Sequence, residues 1–219
     1  MASQIAHIVY AKKYFDRLDS EGLNDLEDEK TLLVPTSKIN RDEFILGCVF
    51  PDIRRIDKNI KRKDTHLYFP VLDLNFSGLT SFEAGWKFHL YCDMKREEIL
   101  NKYSFYSLNE VGYTRGLAAK LLEDELVYEE YNNWEKIVSY FNHAPFAKVN
   151  TDILPETFNL WYAIVAKYIE VKPNDKTIKI FLSKQKISNK LEEIIKLIQE
   201  LREDEKAVQI LKKVKDEII

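Results

Sequence analysis

Gly85-Trp86-Lys87-Phe88-His89-Leu90-Tyr91-Cys92-Asp93 lies inside a proline-free run, about Ser81 to Asn101, rich in long apolar and charged side chains. That composition predicts a helix. On it, His89 and Asp93 stand four residues apart, so both side chains share one face with Cβ atoms about 5–6 Å apart. An imidazole and a carboxylate so placed reach a common cation, and both suit zinc. Phe82, Trp86 and Leu90 flank the pair and turn it inward, where a carboxylate needs a partner. The same spacing also serves a histidine that merely hydrogen-bonds an aspartate inside a helical core. Gly85 costs helix propensity, which points to close approach of a neighbouring helix or of the site itself.

The whole chain shares this character. Its 219 residues include only 6 Gly and 6 Pro, and 45% are hydrophobic. Few chain breakers and enough apolar mass for a sizeable core predict an all-α protein. We expect one domain over 1–219, with a helical core over 1–145 and C-terminal helices over 146–219 packing on it. The formal net charge of −3 carries no global basic signal for nucleic acid or an anionic membrane. Cys48 and Cys92 have no CxxC spacing and read as buried thiols of a reducing compartment. The N-terminus lacks a basic region followed by an apolar core, and no run is long enough to span a bilayer, so a cytoplasmic location is expected.

Outward from the central helix, residues 3–19 predict an amphipathic helix carrying His7 on a face with Tyr10, Ala11 and Tyr14. Residues 19–40 are polar around Thr31-Leu32-Leu33-Val34-Pro35 and predict a loop with a short helix. Asp42 is a candidate cap for a helix over 43–49. Pro51 is expected to hold Phe50 extended and end that helix, leaving Asp52 on a loop. The basic run from Arg54 to Lys63 leads to Asp64-Thr65-His66; Arg54, Arg55 and Lys58 are candidate anion-binding residues. A helix over 113–142 places Asp124 on a stripe with Leu117, Leu121, Tyr128 and Tyr131, although its acidic surroundings favour a solvated patch. His143, at that helix's end, carries no expected chemistry. Pro155 opens a helix to about 170. Residues 174–186 fit strand alternation or a helix. Residues 187–219 are helical with a break at Glu205, either a packed hairpin or an oligomerisation helix.

Three of the four histidines, His7, His66 and His89, fall in the first half of the chain beside Asp52 and Asp93. The order is a helix His, then Pro51-Asp52, then Thr65-His66 fourteen residues after that Asp, then His-x-x-x-Asp. This ordered set, with Gly47-Cys48-Val49-Phe50-Pro51-Asp52, resembles the zinc-dependent phospholipase C superfamily. That superfamily includes bacterial phospholipases C, alpha-toxin-type enzymes and zinc-dependent single-strand nucleases. The resemblance covers roughly residues 5–100. It implies an all-α, phospholipase C/nuclease-like bundle with a metal site between helices. By analogy His66, His89 and Asp93 bind one Zn2+. Asp52 is a further ligand or activates the attacking water, and His7 helps hold a second ion bridged by Asp93. Asp124 is a candidate ligand from the later helix. The relatives complete a trinuclear cluster with further His and acidic residues after the His-x-x-x-Asp helix. Here only His143 remains, with Asp124 or Glu123 as the candidate acids, so one or two ions are expected.

The resemblance thus implies a metal-dependent phosphodiesterase acting on a phosphoester small molecule or a lipid headgroup. No stable nucleic-acid partner is expected, and the C-terminal helix is a candidate for homo-oligomer formation. The alternatives are a non-catalytic helical module with a structural metal and a helical protein with none. An HD-type phosphohydrolase is excluded, because no histidine is followed by Asp.

Overall fold

Thr80 starts the central helix, α4, Ser81–Lys102, with a reciprocal capping box: its hydroxyl accepts from the Glu83 N–H while Glu83 accepts from the Thr80 N–H. The cap is thus Thr80 rather than Ser81, because only from Thr80 does the acid lie at the third helical position. The computed structural model of the protein describes residues 4–20, 39–108, 113–147 and 152–219. The short helix expected near Thr31–Pro35 lies outside them. Among the described residues every regular element is helical, and the architecture is all-α.

Against α4 lies α2, Arg41–Val49, and this pair is the densest contact of the fold. Two glycines set its spacing. A Cβ on Gly85 would stand 1.8 Å from the Phe44 carbonyl oxygen, and one on Gly47 would stand 2.0 Å from that of Phe82. No other residue fits at either position. Asn40 caps α2 by accepting from the Asp42 and Glu43 N–H groups. Asp42 therefore sits in the first turn, where its charge favours the helix dipole, and the expected cap shifts by two residues.

The expectation for Pro51 also changes. Phe50 is helical (φ −59°, ψ −45°), and a 3-10 helix, Phe50–Arg55, follows α2 directly. Proline is tolerated in a first helical turn, where its missing N–H would bond nothing. Burial of Phe50 against Phe82 and Trp86 overrides the extended bias of a pre-proline residue. Asp52 thus lies in a buried helical turn.

The first helix, α1, Gln4–Ser20, packs on α2, α4 and α5, Tyr113–Val127. The helix expected over 113–142 is two. After α5 and a 3-10 turn, Tyr128–Glu130, the chain extends at Tyr131 and restarts as α6, Trp134–Asn142. Trp134 stacks on Tyr128 and donates to its carbonyl, a closure that a continuous helix would forbid. A short α3, Arg62–His66, precedes α4.

The ambiguous segment is helix α8, Asp175–Ser183, capped by Asn174. Ile178, Phe181 and Leu182 are buried at helical spacing, which a strand would split between two faces. It follows α7, Pro155–Ile169. The C-terminal pair, α9 Leu191–Glu203 and α10 Glu205–Glu217, breaks at Asp204, whose side chain caps α10. The hairpin packs on α5 and α4 and buries Ile194, Ile198, Leu201, Leu211 and Val214. The apolar stripe behind the oligomer expectation is therefore covered within the chain. No described helix is long and apolar enough to cross a membrane.

Candidate metal centre

The close α2–α4 contact does more than pack. It brings the His89 Nδ1 to 2.6 Å from the Cys48 carbonyl oxygen. A carbonyl only accepts, so Nδ1 carries the proton and Nε2 presents its lone pair. That Nε2 is buried and has no hydrogen-bond partner. It stands 3.8 Å from Asp93 Oδ2. From α1, the His7 ring stacks on His89, with centroids 3.9 Å apart and planes 9° apart, and its Nε2 lies 3.9 Å from Asp93 Oδ1. Ligand atoms of His7, His89 and Asp93 all fall within 4.8 Å of one another. His7 and His89 are almost wholly buried, while the Asp93 side chain is 18% exposed, so the group meets solvent through Asp93.

His66 approaches from α3. Trp86 donates its indole N–H to the Thr65 carbonyl at 2.6 Å, tying that turn to α4. The His66 ring meets His89 edge-on at 5.8 Å. Its Nδ1 contacts the Thr65 hydroxyl, and its Nε2 is buried without a partner.

Asp52 is fully buried on the inner side of the group. Its Oδ2 accepts from Gln4 at 3.0 Å, and its Oδ1 accepts from the Arg55 Nε at 3.0 Å. Arg54 lies 3.9 Å from the same Oδ1. Arg55 also reaches Gln185 and is committed inward. Lys58 is exposed. Asp124 turns elsewhere: Oδ1 accepts from the Ala6 N–H at 2.8 Å and Oδ2 from the Tyr168 hydroxyl at 3.1 Å. It thus satisfies a backbone donor at the start of α1 and ties that helix to α5 and α7. His143 is exposed at the end of α6, with Nδ1 on the Ser139 carbonyl.

Two residues absent from the sequence reading matter. Lys120, buried on α5, ion-pairs with Asp93 Oδ1. Gln4 buttresses Asp52. The available signal for Lys120 was its place four residues before Asp124, on the same helix face.

The electrostatics follow from burial. Desolvation drives the His89 and His66 pKa values down to about 3, against the pull of Asp93 and Asp52. Burial raises the Asp93 and Asp52 carboxyls, but Lys120 and Arg55 respectively lead the charges that bring both well below the ordinary range. His66 and His89 are thus neutral imidazoles beside carboxylates, the protonation states that metal ligands need.

This has a consequence for the metal-free protein. Each histidine has a folded pKa near 3 against 6.5 in the unfolded chain. Between those values the unfolded chain binds more protons, so stability falls as pH drops through the window. At pH 4.5 the loss is roughly 2–3 kcal/mol for each histidine. Urea unfolding of chelator-treated protein at pH 7 and pH 4.5 checks this; equal midpoints would contradict it.

Nothing among protein-family models, curated proteins or solved structures matches this chain.

Proposed function

We propose that the protein is a metal-dependent hydrolase of phosphoester bonds, phospholipase C-like in its chemistry, that uses one divalent ion held by His7, His89 and Asp93. One observation carries this reading. The His89 Nε2 is a buried lone pair with no donor, held in that tautomer by the Cys48 carbonyl and aimed into a group of two histidines and a carboxylate. Leaving it bare costs free energy unless an electrophile takes it. A hydrogen bond to the far nitrogen is also how proteins orient a metal-binding imidazole.

Zinc suits this donor set. When bound, it polarises a phosphoryl oxygen and lowers the pKa of a bound water toward ~7. Two histidines and one carboxylate leave a coordination position open, as catalytic rather than structural zinc sites do. Asp93 is the one of the three that meets solvent.

The chain's own residues have separable tasks. Cys48 O fixes the His89 ring. His66, with its own unpartnered Nε2, stands ready to serve as a further ligand. Asp52 is held ionised by Arg55 and Gln4 and sets the negative potential behind His66 and His89. Because both its oxygens are engaged by Gln4 and Arg55, Asp52 orients its neighbours rather than binding the ion or activating the water. Arg54, 18% exposed beside it, is the basic residue best placed to meet an anionic substrate.

The second reading, a structural or metal-free core, draws on the Lys120 pair, which neutralises Asp93 without any ion. Metal analysis of purified protein, alongside a His89→Ala, Asp93→Ala double variant, separates the two. The hydrolase reading expects about one Zn2+ per chain, lost in the variant, and hydrolysis of bis(p-nitrophenyl) phosphate that chelator abolishes. Wild-type protein that takes up no Zn2+ would sink it.

A further inference from the structure

The two oxygens of Asp93 face different partners. Oδ2 is turned to the His89 Nε2 at 3.8 Å. Oδ1 is turned to the His7 Nε2 at 3.9 Å, and the Lys120 ammonium contacts that same Oδ1. A carboxylate flanked in this way has the form of a bridge between two cations. The Lys120 ammonium stands at Oδ1, beside the single ion that His7, His89 and Asp93 would share. We propose that Lys120 serves as the second cation of the centre, so that the site holds a single divalent ion where Asp93 would otherwise bridge two.

The inference rests on the proposed function and deepens it. Lys120 is held where it is by its own helix. On α5, the next turn carries Glu123, which bonds Arg96 of α4 at 2.6 Å, and Asp124, which bonds the start of α1. These ties fix α5 against both helices that bear the histidines. The Lys120 side chain is only 4% exposed, so its ammonium is desolvated and directed at Asp93.

Charge balance points the same way. The two carboxylates nearest the histidines are Asp52 and Asp93. Asp52 already has Arg55, and Asp93 already has Lys120. With both carboxylates already paired, one divalent ion leaves this centre net positive, which suits an anionic phosphoester. A second divalent ion at Oδ1 would meet the Lys120 ammonium at short range in a poorly solvated site, where like-charge repulsion is strong. Lys120 therefore supplies, as a fixed charge, the electrostatic role that a second metal takes in two-metal sites. It is a positioning residue for Asp93 and excludes the second ion.

The test is Zn2+ stoichiometry and affinity, by metal analysis and calorimetric titration, on the full chain and on two variants. The wild type is expected to bind one ion. Lys120→Glu removes the ammonium and adds a carboxylate beside Oδ1, and it is expected to bind two. Lys120→Gln keeps length and a donor to Asp93, and it is expected to bind its single ion roughly tenfold tighter or more, because the repulsion is gone. Should Lys120→Glu fail to fold, the Lys120→Gln affinity decides. Two ions in the wild type, one in folded Lys120→Glu, or an unchanged affinity in Lys120→Gln each overturns the inference while leaving the proposed function standing. No ion in the wild type removes the proposed function and this inference with it.

Discussion

Gly85→Ala is expected to destabilise the protein by about 3 kcal/mol or more and to loosen the candidate metal centre with the same stroke. The added methyl would lie 1.8 Å from the Phe44 carbonyl oxygen, where ordinary contact begins at 3.4 Å. The obstacle is backbone, which has no rotamer to escape through, so α2 and α4 must part. Parting them lengthens the His89–Cys48 hydrogen bond, now 2.6 Å, which orients the His89 ring. Under the proposed function, loss of stability and loss of zinc affinity are therefore coupled at a residue outside the candidate ligand set. Gly116→Ala is the control. It lies in α5 with nothing described within 4 Å of its would-be Cβ, and it should stabilise by about 0.5–1 kcal/mol through helix propensity. Urea unfolding of the two variants against the wild type tests both signs. A Gly85→Ala protein as stable as the wild type would refute the packing argument.

Glu123→Ala is the second large effect. Glu123 is fully buried on α5; one oxygen accepts from Arg96 Nε at 2.6 Å and the other from the Tyr10 hydroxyl. All three side chains lie in the interior where α1, α4 and α5 meet. Removing one partner of a buried ion pair leaves an uncompensated charge, and the expected loss is about 3–5 kcal/mol. Among the described residues Arg96 then keeps a longer contact to Glu97, 3.4 Å. Burial raises the Tyr10 hydroxyl pKa, and Glu123 raises it further, so Tyr10 stays a neutral donor at any working pH. The double variant Glu123→Met, Arg96→Leu removes both charges and fills the space, and it should recover most of the loss. If the single variant costs under about 1 kcal/mol, the triad is not a structural junction. Zinc binding in the double variant is a further readout: α5 would then be held to α4 through Lys120 alone among these charged ties, so the Asp93 geometry should relax.

The local code explains what could be read early. The repeat of apolar residues at helical spacing foretold α1, α4, α7 and the C-terminal pair, and scarcity of Gly and Pro foretold an all-α chain. His89 and Asp93 share a face because four residues make about one turn. Gly85 was legible as a place of close approach. Where local rules competed, the structure chose on tertiary grounds. Pro51 entered a helical turn because Phe50 is buried among aromatics. Asp175–Ser183 became helix because Ile178, Phe181 and Leu182 meet the core on one face. The break after α5 is held by Trp134 closing on Tyr128.

The sequence by itself determined the helical periodicity, the inward face of α4 and the identity of the titratable groups able to bind a metal. Tertiary structure alone decided which of them meet. The Lys120–Asp93 pair spans 27 residues of sequence, the His89–Cys48 bond 41 and the Gln4–Asp52 bond 48. Periodicity reports which side of a helix is apolar but not which helix it will face or at what distance. Two glycines set that distance for α2 and α4, and with it the free nitrogen of His89. The packing of α5 then placed an ammonium, rather than open space, beside Asp93.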